Sequence, residues 1–350
     1  MKKTRLLITI LICAAFCAAA ICVCSFTAVP VRSSFADAIS VYTRNKPGAE
    51  ITCAVVSMDG ASIAAYGHDG KEIPVPERRY ELAQTSGIFT GAAAAKAVSD
   101  GYLELNAEIS DYLTLIDGAY SPTVKQLLTG TSAYSDYSLL PDNLISRLTG
   151  KSSRYPGIGF DSVISGINNF RLSYNPPFLY SPSDFGIVSL SAVISKVYDV
   201  DYYSILTLFI QNSLGLSDTY IDLEGSTRGF RRWSPDDAYI SALGLSSTID
   251  DMVKFSRMFF DGENTYLNTM IEPLAEVNAD ESAGYVWKIS NSDWILKCSG
   301  SSGHYSSAVR IDLNRRAAAI VLSNYADDRY GSADNLAELL LSELLLLEHA

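Results

Sequence analysis

Acyl-transfer chemistry needs a hydroxyl or thiol with a base close enough to take its proton. A Lys three residues after a hydroxyl, at the start of a helix, sits one turn on along the same face. The stretch Tyr80-Glu81-Leu82-Ala83-Gln84-Thr85-Ser86-Gly87-Ile88-Phe89-Thr90 leads into an alanine-rich helical pattern, but it holds no such pair. Ser86 is followed at that spacing by Phe89 and Thr85 by Ile88, and neither is basic. Further along, Tyr180-Ser181-Pro182 and Lys297-Cys298-Ser299-Gly300 place polar groups together, with His304 close behind. Ser86 or Ser181 with Lys297, His304 or Tyr180 is the minimum set from which a hydrolase could be assembled. His68, His304 and His349 are far apart, so no metal spacing arises and no cofactor is expected.

The elements that must position these residues are legible in outline. Residues 51–58 form an apolar, β-branched run ending at Asp59-Gly60, and residues 61–66 form a second run; the spacing predicts a β-hairpin. Residues 87–99 predict a helix that buries a small-residue face. Residues 133–175 are the least regular stretch and read as an insertion over one face. Strand patterns return at 284–289, 294–298, 306–311 and 317–322, and a leucine-rich helix over 336–347 closes the chain. Strands at both ends with helices between imply an α+β fold whose sheet comes from residues 48–80 and 283–350. A helical lobe over 87–280 interrupts it.

Lys2, Lys3 and Arg5 precede an apolar run over residues 6–29, long enough to span a bilayer. This predicts a membrane anchor with an extracytoplasmic domain over 39–350, and residues 30–50 read as a linker. Ala36-Asp37-Ala38 offers an alternative, cleavage and secretion. Four of the six cysteines lie in the apolar run; Cys53 and Cys298 read as buried free thiols in strands. A net charge of −12 argues against a nucleic-acid surface.

Five motifs in order carry a resemblance. Beside the stretch beginning at Tyr80, residues 100–113 resemble the segment that follows the active-site helix of the serine β-lactamase and penicillin-binding protein family. Thr123-Val124-Lys125-Gln126-Leu127-Leu128-Thr129-Gly130-Thr131-Ser132 resembles its T-I-R-H-L-L-T-H-T-S, with Gly130 in place of His. Phe178-Leu179-Tyr180-Ser181-Pro182-Ser183-Asp184-Phe185-Gly186 resembles F-x-Y-S-N-x-x-Y-G, and Gly244 to Met252 resembles G-L-x-S-T-A-x-D-L. Val321-Leu322-Ser323-Asn324 resembles the closing strand.

The resemblance implies an antiparallel sheet flanked by helices, with an inserted all-helical lobe. It also implies a catalytic Ser-x-x-Lys dyad, at whose positions stand Gln84 and Gly87. Tyr180 falls at the relay tyrosine, Pro182 replaces the asparagine of that motif, and Lys297 falls at the basic strand residue, where it could face the cleft and attract a carboxylate. Ser299, Gly300 and His304 complete the candidate binding set. The expectation is a pseudoenzyme that binds a peptidoglycan peptide, an acyl-peptide, or a membrane or cell-wall protein partner.

Overall fold

The Asp59-Gly60 step closes a hairpin. Strands β1 (Ile51–Val56) and β2 (Ala61–Tyr66) pair antiparallel, with Val56 opposite Ala61 and the Ser57 N–H donating to the Gly60 carbonyl at 2.8 Å. The computed structural model describes residues 34–136, 155–172, 179–225, 231–260, 262 and 264–347. The apolar run over 6–29, Phe178 and His349 lie outside them.

Short strands β3 (Glu72–Ile73), β4 (Tyr80–Glu81), β5 (Tyr220–Ile221) and β6 (Leu245–Ser247) follow in the chain. The C-terminal part adds β7 (Ala275–Glu276), β8 (Glu281–Gly284), β9 (Trp287–Ser290), β10 (Ile295–Ser301), β11 (Ser306–Asp312) and β12 (Ala317–Ser323). Nine of them make one antiparallel sheet in the order β3-β2-β1-β12-β11-β10-β9-β8-β7. The fully buried runs β11 and β12 lie near its centre, as expected for strands covered on both faces. The mixed α+β class with a large antiparallel sheet and flanking helices is therefore the observed one. The remaining three strands form a second small sheet, β4-β6-β5, so the lobe is not purely helical.

Helices occupy both faces. On one side lie α1 (Phe35–Thr43) and, after a long interval, the C-terminal helix over Ala333–Leu347. Phe35, Ile39, Tyr42, Leu336 and Leu341 pack there against Cys53, Ala319 and Val321 of the sheet. Residues 30–50 thus do not form a simple linker: Ser34 caps α1 by accepting the Asp37 N–H, and one helix face buries apolar side chains. On the other side lies the lobe, centred on α2 (Gly87–Ser99), whose Phe89 and Ala92–Ala95 are buried. Phe89 stacks on Phe255 at 4.7 Å between ring centroids. Part of the stretch read as irregular is a helix, α3 (Phe160–Asn169), which buries Val163 and Ile167.

The strand expected over 284–289 is instead two strands. Tyr285 and Val286 form a two-residue turn between β8 and β9, both with positive φ (29° and 73°). Sequence gave no warning, because such turns favour Asn and Gly rather than bulky or β-branched residues. Packing holds the turn: the Val286 N–H donates to the Leu128 carbonyl at 2.8 Å, and α2 presents Gly91 to the Tyr285 carbonyl. A Cβ on Gly91 would stand 2.5 Å from that oxygen. Gly91→Ala is expected to destabilise the protein by about 1–3 kcal/mol through overpacking. Urea unfolding checks this, and an unchanged midpoint would show that α2 does not bear on the turn.

Candidate functional site

Strand β9 pairs with β10 only at Leu296 and Lys297, which leaves the β10 edge from Cys298 onward without a partner strand. A cavity of about 580 Å³ opens around this edge. Its lobe-side wall includes Gln84, Asp136, Tyr180, Pro182, Asp184 and Val286.

Gln84 is held by a 3₁₀ turn (Ala83–Ser86) that runs directly into α2. The turn is pinned from below. The Ser307 hydroxyl lies 2.7 Å from the Leu82 carbonyl oxygen and 2.8 Å from the Thr85 hydroxyl. The buried Ser86 hydroxyl accepts the Leu245 N–H at 3.1 Å. Thr85 and Ser86 are therefore structural hydroxyls beneath the cavity floor. Gln84 projects outward, and its carboxamide oxygen accepts the Ser301 N–H at 2.9 Å. Gly300 permits this approach, since a Cβ there would lie 2.5 Å from the Gln84 nitrogen. Ala83 bears some cost, standing at φ 48°, a region where residues other than Gly are uncommon.

One turn further, Gly87 faces the β8–β9 turn. A Cβ at Gly87 would meet a Val286 methyl at 3.3 Å, so Val286 occupies the space into which a longer side chain would grow. A second packing pair lies at the far wall: a Cβ on Gly130 would lie 2.9 Å from the Pro182 Cα. The two departures from the resembled motifs, Gly130 and Pro182, thus touch each other.

Tyr180 remains a neutral phenol through the physiological range. Burial, reinforced by the nearby Cys298 and Glu281, pushes its pKa up to about 12. Asp184 stands at the first position of α4 (Asp184–Tyr198), after the Ser183 N-cap. Burial and the Asp136 charge raise its carboxyl to about 7, against the opposing influence of Arg231 and hydrogen bonds from Tyr155 and Gln84. Asp136 in turn accepts the Phe185 N–H at 3.0 Å. Sequence reading passed over both carboxylates. An Asp in the first turn of a helix ordinarily serves the helix dipole, and Asp136 borders an irregular stretch.

Lys297 does not face the lobe. Alternation along β10 turns Leu296 and Cys298 toward the lobe core, while Lys297 shares the opposite face with Arg310 and Lys288. There its amine pairs with Glu281 Oε1 at 2.8 Å, and Lys288 pairs with Oε2 at 2.9 Å. Burial alone would raise the Glu281 carboxyl, but the two lysines outweigh it and bring it down to about 2. Lys297 therefore reaches the cavity from behind the strand, already paired with a carboxylate that it shares with Lys288. Ser299 lines the cavity at the open edge. His304 is exposed in the loop after β10 and is absent from the cavity wall, as are Ser86 and Ser181.

Cys298 packs toward the lobe with its thiol pushed up to about 12 by burial. Both Cys53 and Cys298 are free, and they lie on opposite faces of the sheet. Among the described residues no cluster suits a metal ion, and no helix is long and apolar enough to cross a membrane.

A model of the Beta-lactamase family matches residues 46–343, and the chain belongs to that family. Protein flp of Staphylococcus aureus (strain N315) is 24% identical over 294 residues, covering 74% of this chain and 56% of that protein. A Beta-lactamase of Yersinia enterocolitica is 23% identical over 203 residues, covering 55% of this chain and 49% of that protein. The chain spans about half the length of the curated relatives it matches. Among solved structures, the octameric penicillin-binding protein homologue from Pyrococcus abyssi superposes with a TM-score of 0.71 at 19% identity, covering 88% of this chain and 75% of that one. A class C beta lactamase from Rhodobacter sphaeroides gives 0.70 at 19% identity, covering 89% and 100%. These structural likenesses establish the fold.

The Asp184 carboxyl sets a pH dependence of stability. Its folded pKa of about 7 lies above the ordinary 3.8, so between these values the folded state holds a proton that the unfolded chain releases. Stability should therefore fall as pH rises from about 4 to 7, and Asp184→Asn should flatten that slope. Urea unfolding at pH 5, 6, 7 and 8 reads this directly. Equal slopes in the two proteins would remove Asp184 as the source.

Proposed function

We propose that this chain is a membrane-anchored, extracytoplasmic pseudoenzyme of the Beta-lactamase family that binds a cell-wall peptide or acyl-peptide in its cleft without cutting it. The observation that carries the reading is Gln84 at the helix entrance. A carboxamide cannot attack a carbonyl, and the neighbouring hydroxyls of Thr85 and Ser86 are buried in structural hydrogen bonds. At the next turn Gly87 supplies no base, and Val286 fills the space beside it. Burial, Cys298 and Glu281 all raise the Tyr180 pKa, which leaves it a poor base. Losing a nucleophile or its base costs a serine protease on the order of 10⁶-fold, so acyl turnover without both is negligible. The cleft itself persists as an open cavity with polar and apolar walls, which is what binding needs.

Anchoring by residues 6–29 is favoured over cleavage near Ala38 by the packing of α1. Phe35 is buried against Tyr66, and its N–H donates to Glu343 at 2.6 Å. A cut after Ala38 would remove both contacts and the Ser34 cap.

The test is intact mass of the full-length chain after incubation with a penicillin and with an activated ester. No adduct is expected from either. A stoichiometric adduct on one hydroxyl, whether Ser183, Ser299 or another, would overturn the pseudoenzyme reading and identify a replacement nucleophile. Restoring the pair by Gln84→Ser with Gly87→Lys should lower stability by about 1–3 kcal/mol, because the new side chain must displace Val286. Thermal unfolding of the double variant, with and without Val286→Ala, checks this; the third substitution should recover part of the loss.

A further inference from the structure

Resting on the binding reading above and deepening it, we infer that the cleft continues behind Tyr180 and Pro182 into a side pocket. That pocket takes a small, uncharged, hydrogen-bond-accepting group of the ligand. Tyr180, Pro182, Ser183, Ile187 and Val286 line both the main cavity and this smaller one, whose volume is about 30 Å³. A water needs roughly 10–15 Å³ of such space, so there is room for about two waters or a compact branched group of the same extent. Leu127 and Ala283 give it apolar surface, and its described wall carries no charged side chain. Gly130 and Pro182, the touching pair of departures from the resembled motifs, both belong to that wall.

The polar side chains of this pocket have donors to spare. Trp287, at the start of β9, is 1% exposed, and its indole N–H has no hydrogen-bond partner among the described residues. A buried donor left unmet is costly, and ring packing holds this one in place: Trp287 meets Phe259 edge-on at 5.8 Å between centroids. The Ser132 and Ser183 hydroxyls each accept a backbone N–H, from Tyr134 at 3.3 Å and from Gly186 at 3.0 Å. Each therefore keeps one hydrogen to donate. The two hydroxyls converge, since a Cβ on Gly186 would stand 3.3 Å from Ser183 Oγ and 3.6 Å from Ser132 Oγ. Nearby carbonyls are already engaged: that of Gly130 accepts the Ser181 N–H at 2.7 Å, and that of Leu128 accepts the Val286 N–H at 2.8 Å. The pocket thus presents three donors and calls for an acceptor. A ketone, ether or ester oxygen supplies one, while its carbon neighbours meet the apolar wall. A carboxylate also accepts, but no cation in the described wall offsets the burial of its charge. An ammonium group brings only further donors.

Three water-soluble probes of one branched shape read this preference: acetone, acetate and isopropylammonium, titrated into the full-length chain in detergent micelles. The readout is the NMR signal of the Trp287 indole N–H, one of three such signals, assigned by its loss in Trp287→Phe. Acetone should move that signal downfield and saturate. Acetate should bind about tenfold more weakly, and isopropylammonium should leave the signal in place. Ser132→Ala removes one donor and should weaken acetone by about three- to tenfold. Gly186→Ala sets a methyl between the two hydroxyls and should abolish the acetone shift, with thermal unfolding confirming that the variant folds. A Trp287 signal that acetone does not move overturns the side pocket and leaves the cleft reading to the mass experiment. An adduct in that experiment overturns the non-cutting reading while leaving the pocket. Acetate or isopropylammonium matching acetone overturns the selection for an uncharged acceptor. An acetone shift that survives Gly186→Ala overturns the assignment to these hydroxyls.

Discussion

The site depends on one close approach. Strand β10 and the 3₁₀ turn before α2 meet backbone to backbone, at a distance only Gly300 allows, since any side chain there would collide with the Gln84 and Thr85 nitrogens and the Leu82 carbonyl. That contact joins the sheet to the lobe and fixes the first turn of α2 relative to the open strand edge. It also puts the residue at position 84 beside the Ser301 N–H. The Gln84 carboxamide oxygen accepts from that donor.

Around this junction small residues carry much of the architecture. Gly91 leaves room for the Tyr285 carbonyl, Gly87 for the Val286 side chain, and Gly130 for the Pro182 backbone. Gly91 and Gly130 remove a side chain where two backbones converge, and Gly87 does so against neighbouring side chains. At two of these positions the packing partners, Val286 and Pro182, themselves line the cleft. Interiors pack to crystal-like density, so space vacated on one element is filled by its neighbour.

Charge is distributed with a clear sidedness. The lysines of β9 and β10 and Arg310 lie on the face of the sheet opposite the lobe, the two lysines sharing the Glu281 carboxylate and Arg310 pairing with Asp334 and Glu338. The lobe side of the cleft holds Asp136 and Asp184, and burial together with the Asp136 charge opposes ionisation of Asp184. A cavity that reaches both faces around a strand edge is thus acidic in front and paired behind.

Local pattern by itself determined the hairpin at Asp59-Gly60, the alanine-rich helix, the late strands and the leucine-rich terminal helix, because each rests on periodicity or turn chemistry confined to a few neighbours. It also established the presence of Gln84 and Gly87 in the stretch that enters α2, and five ordered motifs marked the fold. Only tertiary structure decided the rest. The Tyr285-Val286 turn needs Leu128 and Gly91 to hold two unfavourable φ angles. The side on which Lys297 lies follows from the register of β10, because in a strand a shift of one residue exchanges faces. Asp136 and Asp184 are separated in sequence by an irregular stretch, and the Gln84–Ser301 bond spans 217 positions. Contacts of that range arise from packing two layers together, which no local pattern encodes.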